Sequence, residues 1–541
     1  MPTITIDDKT LQVPDGTTVL QACQMARQRV PYYCYHPGLS IAGNCRICLV
    51  EIEGNPKLQI SCNTRVADGM KVRTMTDTVK QAQKEVLEFL LINHPLDCPV
   101  CDQAGECELQ NYYLEFGAYD PKFNEAKVKK TVKATPISKH IMLDMERCIL
   151  CSRCVRFCDE VSKTGELAIF NRGDHAEIGI YPDKTLDGNK YAGNVADICP
   201  VGALTDQDFR FKCRVWYLGS VESVCPGCAN GCNIYVHYNK ERDWRPHIAQ
   251  GERIMRLKPR YHADVNQWWM CDAGRYGYHF VDEQRLATPT LRQDSVARPT
   301  TWAAAVQWAA NTVQAAGGKV GVIASTHLTN EDLFVLRRLF VEHLELTRVS
   351  ANVPLALGDS DAFLMKADKS PNTAGARTLG LMRTLTGEDI LRQAQQGEIK
   401  VLWVFGHDVF ARFGDGFVTA ALDSLDAVIF QGANHHRFVE RAHLVLPSTT
   451  FVEKDGTFAN FQGRVQRIRR VVAPLAQSRG DWEILQEIGQ ALGLRTSYAS
   501  SAAVFQEMSR AMPAFAGMSY DKIGHRGMLL SQASKAELVT R

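Results

Sequence analysis

Eighteen cysteines occur in this chain of 541 residues, all between Cys23 and Cys271. Most fall into spaced groups, and thiols grouped in this way point to metal. The first group is Cys34-x10-Cys45-x2-Cys48-x13-Cys62. A close pair ligating one iron, with two more distant thiolates completing the other, is the logic of a [2Fe–2S] centre. The first gap is longer than the four residues of plant-type ferredoxins. The count of thiolates is nevertheless complete. Gly38 and Gly43 are expected to let the loop backbone close on the sulfides.

The second group, His94-x3-Cys98-x2-Cys101-x5-Cys107, has three thiols, so a four-ligand [4Fe–4S] site needs another donor. His94 is the expected fourth ligand. A neutral imidazole in place of a thiolate leaves the cluster less negative and raises its potential, by the reasoning that applies to Rieske centres. The third group is Cys148-x2-Cys151-x2-Cys154, and Cys199-Pro200 is expected to close it as a second [4Fe–4S] cube. Cys158 extends the motif toward the two-cluster ferredoxin pattern. A second cube there lacks thiolates, so Cys158 is left free. The fourth group, Cys225-x2-Cys228-x3-Cys232-x38-Cys271, supplies a third [4Fe–4S] set. Structural zinc is the alternative for the first and fourth groups. These groups use fifteen cysteines and His94, leaving Cys23, Cys158 and Cys213. Cys23 is expected to be a buried small hydrophobe.

The elements that position these side chains follow from pattern. Thr3–Ile6 and Leu11–Val13 read as strands, and Thr18 caps a helix over Val19–Arg27. Strand, strand, helix and cysteine loop in that order suit a β-grasp ferredoxin. Thr78 and Gln81 fit a capping box. They open a helix with Val79, Ala82, Val86 and Leu90 on one face, which ends before Pro95. Lys127, Lys129, Lys130 and Lys133 mark an exposed linker. Beyond about residue 290, Trp302–Ala316 reads as an amphipathic helix. The apolar runs Lys319–Ser325, Lys400–Phe405 and Ala427–Gln431 read as buried parallel strands of an α/β domain. The last forty or so residues, rich in Ser, Ala and Met, are expected to be a loosely attached tail.

Composition narrows the function. Lys and Arg total 62 against 60 Asp and Glu, a net charge of +2, which excludes a strongly basic nucleic-acid binder. The apolar fraction of 45% is ordinary for globular protein. The longest apolar runs, near Leu87–Ile92 and Val401–Phe405, are core-sized, so no direct membrane span is expected. The first residues lack a basic and then apolar stretch, and no secretory signal is expected. In that setting a disulfide framework is not expected. No phosphate loop and no dinucleotide-binding glycine motif is present.

The histidine-bearing group lies between a ferredoxin-type segment and Cys148-Ile149-Leu150-Cys151-Ser152-Arg153-Cys154-Val155-Arg156-Phe157-Cys158. Ile198-Cys199-Pro200-Val201-Gly202-Ala203-Leu204 follows. Over residues 1–280 this order resembles the large iron–sulfur subunit family of respiratory complex I. Glu453-Lys454-Asp455-Gly456-Thr457-Phe458-Ala459-Asn460 and Gly463-Arg464-Val465-Gln466 make the C-terminal half similar to the molybdopterin oxidoreductase fold.

The resemblance implies α+β iron–sulfur domains followed by an α/β molybdopterin-oxidoreductase-like domain lacking the pterin. Its divisions are a [2Fe–2S] ferredoxin-type domain at 1–77, a helical His/Cys3 domain at 78–125 and a ferredoxin-like domain at 138–215. A molybdopterin-oxidoreductase-type [4Fe–4S] domain at 218–285 and the degenerate α/β domain at 290–541 follow. It implies one [2Fe–2S] and three [4Fe–4S] clusters, no catalytic residue, and no molybdopterin. No cysteine follows Cys271 to bind molybdenum. The implied role is electron relay towards quinone through buried clusters in series. The implied neighbours are a flavin/NADH-binding subunit, a small [2Fe–2S] subunit, and ferredoxin-like and quinone-module subunits. The implied place is peripheral, on the cytoplasmic side of the inner membrane. In the family the fourth group occurs only in some bacterial members and lies off the main electron path. The alternatives are a molybdenum or tungsten formate dehydrogenase subunit, a related hydrogenase complex, and a zinc-bound scaffold.

Overall fold

The computed structural model describes residues 1–531 except 118, 121, 131, 241–250, 295 and 355–356. The chain forms two compact units, one over 1–218 and one over 219–240 and 251–531 of the described residues.

The first unit opens with a sheet in the order Lys9–Gln12, Thr3–Ile6, Met70–Arg73, Leu49–Ile52, Gln59–Ile60. Alternation places Ile4 and Ile6 inward against helix Val19–Met25. Thr18 caps that helix and Gln21 completes the capping box. The second strand starts two residues before Leu11–Val13 and ends one before it, because the Asp7–Asp8 turn pairs Ile6 directly with Lys9. Cys23 is fully buried in this core.

The next helix, Asp77–Leu91, is capped by Thr76, whose hydroxyl accepts from the Val79 N–H, and not by Thr78. Starting earlier places Asp77 in the first turn, where the helix dipole favours an anion. Its buried face is Val79, Gln83 and Leu87, with Ala82, Val86 and Leu90 half-buried beside it. Lys127, in the exposed segment, donates to the last carbonyls of this helix, Leu91 and Ile92, both at 2.8 Å. Helix Glu108–Phe116 packs alongside. A sheet of Leu204–Asp206, Ile141–Leu143 and Thr135–Pro136 and a hairpin of Leu167–Phe170 with Glu177–Ile180 complete the unit.

The second unit begins with a sheet of Leu218–Val224, Asn233–Asn239 and Ile254–Pro259. Its larger sheet runs Val296–Pro299, Thr290–Gln293, Leu444–Pro447, Ala427–Gly432, Val401–Phe405, Val320–Ile323, Val349–Ser350. The five strands from Leu444–Pro447 onward are parallel, as the three apolar runs require. Successive residues alternate between two cores. Val401, Trp403 and Phe405 face one, under helices Trp302–Ala315 and Asp481–Ala491. Leu402 and Val404 face the other, under Gly387–Gln395 and Asp415–Asp423.

The expected loose tail is overturned for residues 501–530. Helix Ser501–Ala511 buries Val504, Phe505 and Met508 in the main core, and Phe515, Ile523 and Leu530 follow them. Their apolar spacing outweighs the surrounding Ser and Ala. Residues 532–541 lie outside the described residues. Phe515 is fully buried, in edge contact with Phe505 at 6.2 Å. Phe515→Ala is therefore expected to destabilise the second unit by about 3–5 kcal/mol, measured by denaturant unfolding. A change near zero would restore the loose-tail reading.

Candidate metal centres

The first set gathers at the edge of the ferredoxin-type sheet. Cys34 hydrogen-bonds to Cys45 and Cys62, and Cys48 to Cys62, so four thiols converge. Their crowding drives them apart in acidity. Hydrogen bonds from Cys45 and Cys62 pull Cys34 down, and one from Cys62 pulls Cys48 down to about 7. Cys45 and Cys62 are pushed up in turn, chiefly by Cys34. Backbone N–H groups of Asn44, Cys45 and Ile47 point at the sulfurs, helped by left-handed turns at Gly43 and Arg46. The Gly38 N–H is not among them. It donates to His36 Nδ1 at 3.1 Å, because that turn closes on the histidine.

In the second set Cys98, Cys101 and Cys107 lie within electrostatic reach of one another. His94 sits near Asp97 and Arg147, and Arg147 bears in turn on Cys101. Burial holds the His94 imidazole neutral, lowering its pKa to about 4. Its Nδ1 is buried with no hydrogen-bond partner among the described residues. A neutral ring with an unpaired buried nitrogen suits a metal ligand. Cys98 is exposed in this chain. It heads a surface turn, Cys98–Val100, whose Val100 is also exposed.

The third set lines one cavity with Cys148, Cys151, Cys154 and Cys199. Leu150 and Ser152 adopt left-handed backbone conformations, with φ of 54° and 60°, that wrap the loop around the sulfurs. Leu150 N–H donates to Cys148 Sγ at 3.4 Å, and N–H groups of Val201, Leu204 and Ala203 point at the Cys199 sulfur. Burial pushes all four thiols up. Cys158 is not in that lining and pairs with Glu166, while Cys213 Sγ donates to the Arg214 carbonyl.

Cys225, Cys228, Cys232 and Cys271 line a cavity in the second unit. Gly227 N–H reaches Cys225 Sγ at 3.5 Å, Gly274 N–H reaches Cys271 Sγ at 3.4 Å, and Asn230 Nδ2 reaches Cys232 Sγ at 3.1 Å. The segment around residues 453–466 braces this loop. Asn460 Nδ2 donates to the Asn230 carbonyl at 3.1 Å and Gln466 Nε2 to the Gly231 carbonyl at 2.9 Å.

Among the described residues no three His, Cys, Asp or Glu side chains close on a point that one metal ion would occupy. In the third and fourth sets the four thiols line a cavity. The cysteine spacing did not reveal the residues that keep this space clear. A Cβ on Gly202 would collide with the Cys101 sulfur, and one on Gly274 would sit 2.9 Å from that of Cys225. Gly202 belongs to the Cys199 motif yet shields the second set. Only its place after Cys199-Pro200 hinted at a role.

Family models match along the chain in the same order. Residues 1–77 match a 2Fe-2S iron-sulfur cluster binding domain, and 83–122 the NADH-ubiquinone oxidoreductase-G iron-sulfur binding region. Residues 138–205 match the ferredoxin-like domain of NADH-quinone oxidoreductase subunit 3. Residues 219–283 match the molybdopterin oxidoreductase Fe4S4 domain, and 367–491 molybdopterin oxidoreductase. The 78 kDa subunit of mitochondrial NADH-ubiquinone oxidoreductase from Neurospora crassa is 30% identical, over 99% of this chain and 86% of its own. The mitochondrial NADH dehydrogenase (ubiquinone) iron-sulfur protein 1 from Solanum tuberosum is also 30% identical, over 94% and 82%. A chain in a crystal structure of NAD+-reducing [NiFe]-hydrogenase in the H2-reduced state is 29% identical over 38% of this chain and 87% of that chain, with a TM-score of 0.33.

Fold and matches define a protein of [2Fe–2S] and [4Fe–4S] binding domains joined to a molybdopterin-oxidoreductase domain. The chain belongs to the family of the large iron–sulfur subunit of NADH:quinone oxidoreductase, to which the 78 kDa mitochondrial protein also belongs. Gly202→Ala is expected to displace Cys101 and remove about four irons per chain, read by elemental analysis. Full iron content would show that the close approach does not matter.

Proposed function

We propose that this chain is an electron-transfer subunit of an NADH:quinone oxidoreductase, relaying electrons from a flavin/NADH-binding subunit towards quinone. The observation that carries the reading is a shared apolar cluster. Cys34 and Cys45 of the first set, Cys107 of the second, and Cys148, Cys151 and Cys199 of the third pack into it together with Tyr33, Leu87 and Tyr112. Three candidate centres therefore border one apolar cluster, which suits transfer from one to the next.

Cys34, Cys45, Cys48 and Cys62 would hold a [2Fe–2S] cluster. His94, Cys98, Cys101 and Cys107 would hold one [4Fe–4S] cluster, Cys148, Cys151, Cys154 and Cys199 another, and Cys225, Cys228, Cys232 and Cys271 a third. Such clusters supply one-electron redox chemistry when bound. The residues around them set potential by ligand type, by N–H donors to sulfur and by excluding water. No acid–base step and no pterin are part of this reading.

The partners of this reading are a flavin/NADH-binding subunit, a small [2Fe–2S] subunit, and ferredoxin-like and quinone-module subunits. Among the described residues no helix is long and apolar enough to cross a membrane. Attachment on the cytoplasmic side of the inner membrane, through those partners, is part of the proposal.

The assembled complex is expected to carry about fourteen irons in this chain, resolved by electron paramagnetic resonance into one binuclear and three cubane signals. Zinc in their place, or stoichiometric molybdenum or tungsten, would overturn the reading. His94→Cys is expected to keep its cluster and lower that cluster's potential in a redox titration. An unmoved potential would remove His94 from the ligand set.

A further inference from the structure

Two arginines stand between the first and third sets. Arg153 and Arg156 share the short helix that starts after Ser152. Arg156 Nη2 donates to the Cys34 carbonyl at 2.5 Å and to the Cys151 carbonyl at 3.4 Å. Its Nη1 donates to the Ser40 carbonyl, and its Nε to Ser152 Oγ at 3.3 Å. One guanidinium thus spans the peptide groups of a first-set and a third-set cysteine. Arg153 repeats the pattern one residue further out. Its Nη2 donates to the Tyr35 carbonyl at 2.6 Å, and its Nη1 to the Ile198 carbonyl at 3.1 Å. Tyr35 follows Cys34, and Ile198 precedes Cys199. Asn44 Nδ2 crosses the same seam to the Leu150 carbonyl at 3.1 Å.

Every acceptor of these two guanidinium groups is a carbonyl or hydroxyl oxygen, and no carboxylate pairs with either among the described residues. Glu160 is close by but accepts from the Ser40 N–H at 2.8 Å and from the Ser40 hydroxyl. Arg153 is only 7% exposed. A buried cation without an anion is strongly unfavourable. Thiolates binding the proposed clusters would supply those anions, and Arg153 already bears on Cys151 and Cys199 and Arg156 on Cys151.

We infer that Arg156 is a positioning residue that fixes the first and third centres relative to each other, and that Arg153 and Arg156 are the counter-charges those centres share. The inference rests on the proposal that both sets hold iron–sulfur clusters. Reduction adds negative charge, so adjacent guanidinium groups favour the reduced state and raise potential. Arg156 serves four acceptors through three nitrogens, the Cys34, Cys151 and Ser40 carbonyls and the Ser152 hydroxyl, which a lysine ammonium with three N–H groups on one atom cannot do.

The test compares the wild-type complex with Arg156→Gln, Arg156→Lys and Arg153→Gln variants, all assembled. Iron content and paramagnetic signals are read first, then potentials by redox titration, then the relaxation of the first-set signal by the reduced third-set centre. Arg156→Gln is expected to keep both signals, to lower the potential of at least one by about 59 mV, a tenfold change in a one-electron equilibrium, and to weaken the relaxation effect. Arg156→Lys is expected to restore the potential but not the relaxation effect. Arg153→Gln is expected to lower potential while leaving the bridge intact, which keeps the test open where Arg156→Gln does not assemble. Unchanged potentials and unchanged relaxation, with both signals present, would overturn this inference alone. Wild-type complex lacking both signals would instead overturn the functional reading beneath it.

Discussion

Thiols that bind iron must be kept from water and still meet donors for the negative charge they carry. That conflict organises the first unit. Six cysteines from three sets pack in one apolar cluster with Leu87, Leu109, Tyr112 and Phe116. Most of the donors come from backbone, with the Ser61 hydroxyl added at Cys48. Left-handed turns at Arg46, Leu150 and Ser152 are the local distortion this needs. A left-handed residue with a Cβ is unfavourable by itself and persists only where surrounding packing holds it.

The sets are also tied to one another. Glu108, just after Cys107, donates its N–H to the carbonyl of Pro200, just after Cys199, at 2.9 Å. Gly202 gives the Cys101 sulfur its space. The second and third sets are therefore built from shared backbone, and displacing one strains the other. The second unit meets the same demand differently. There the loop around Cys228 and Cys232 leans on Asn460 and Gln466. The preceding residues are anchored by buried charge. Lys454 Nζ lies 2.8 Å from both Asp332 Oδ2 and Asp481 Oδ2, and Glu453 pairs with Arg253 and Arg285. Breaking such buried pairs is strongly destabilising, although forming them adds little net stability.

Much of this was legible beforehand because the signals are local. Cysteine spacing marked four sets, and apolar runs marked the parallel strands at Val320, Val401 and Ala427. The sequence misleads where a local signal has a near neighbour. Thr76 and Thr78 both fit an N-cap, and only the first residue's geometry decides between them. The segment after Ser501 reads as a tail by composition, yet Phe505, Phe515 and Leu530 find a core made by distant strands. Exposure of Cys98 was equally hidden, since spacing says nothing of which side of a loop meets solvent.

The sequence by itself determined the cysteine groups and the types of element that present them, because both depend on neighbours along the chain. It identified Cys199 as the partner of Cys148, Cys151 and Cys154 only through a motif, across a long gap. Tertiary structure alone decided that thiols of three sets share one apolar cluster, that Gly202 serves a centre other than its own, and that Arg153 and Arg156 face two centres at once. Those relations join residues roughly a hundred positions apart. Packing geometry, which no periodicity or spacing encodes, is what brings them within a few ångströms.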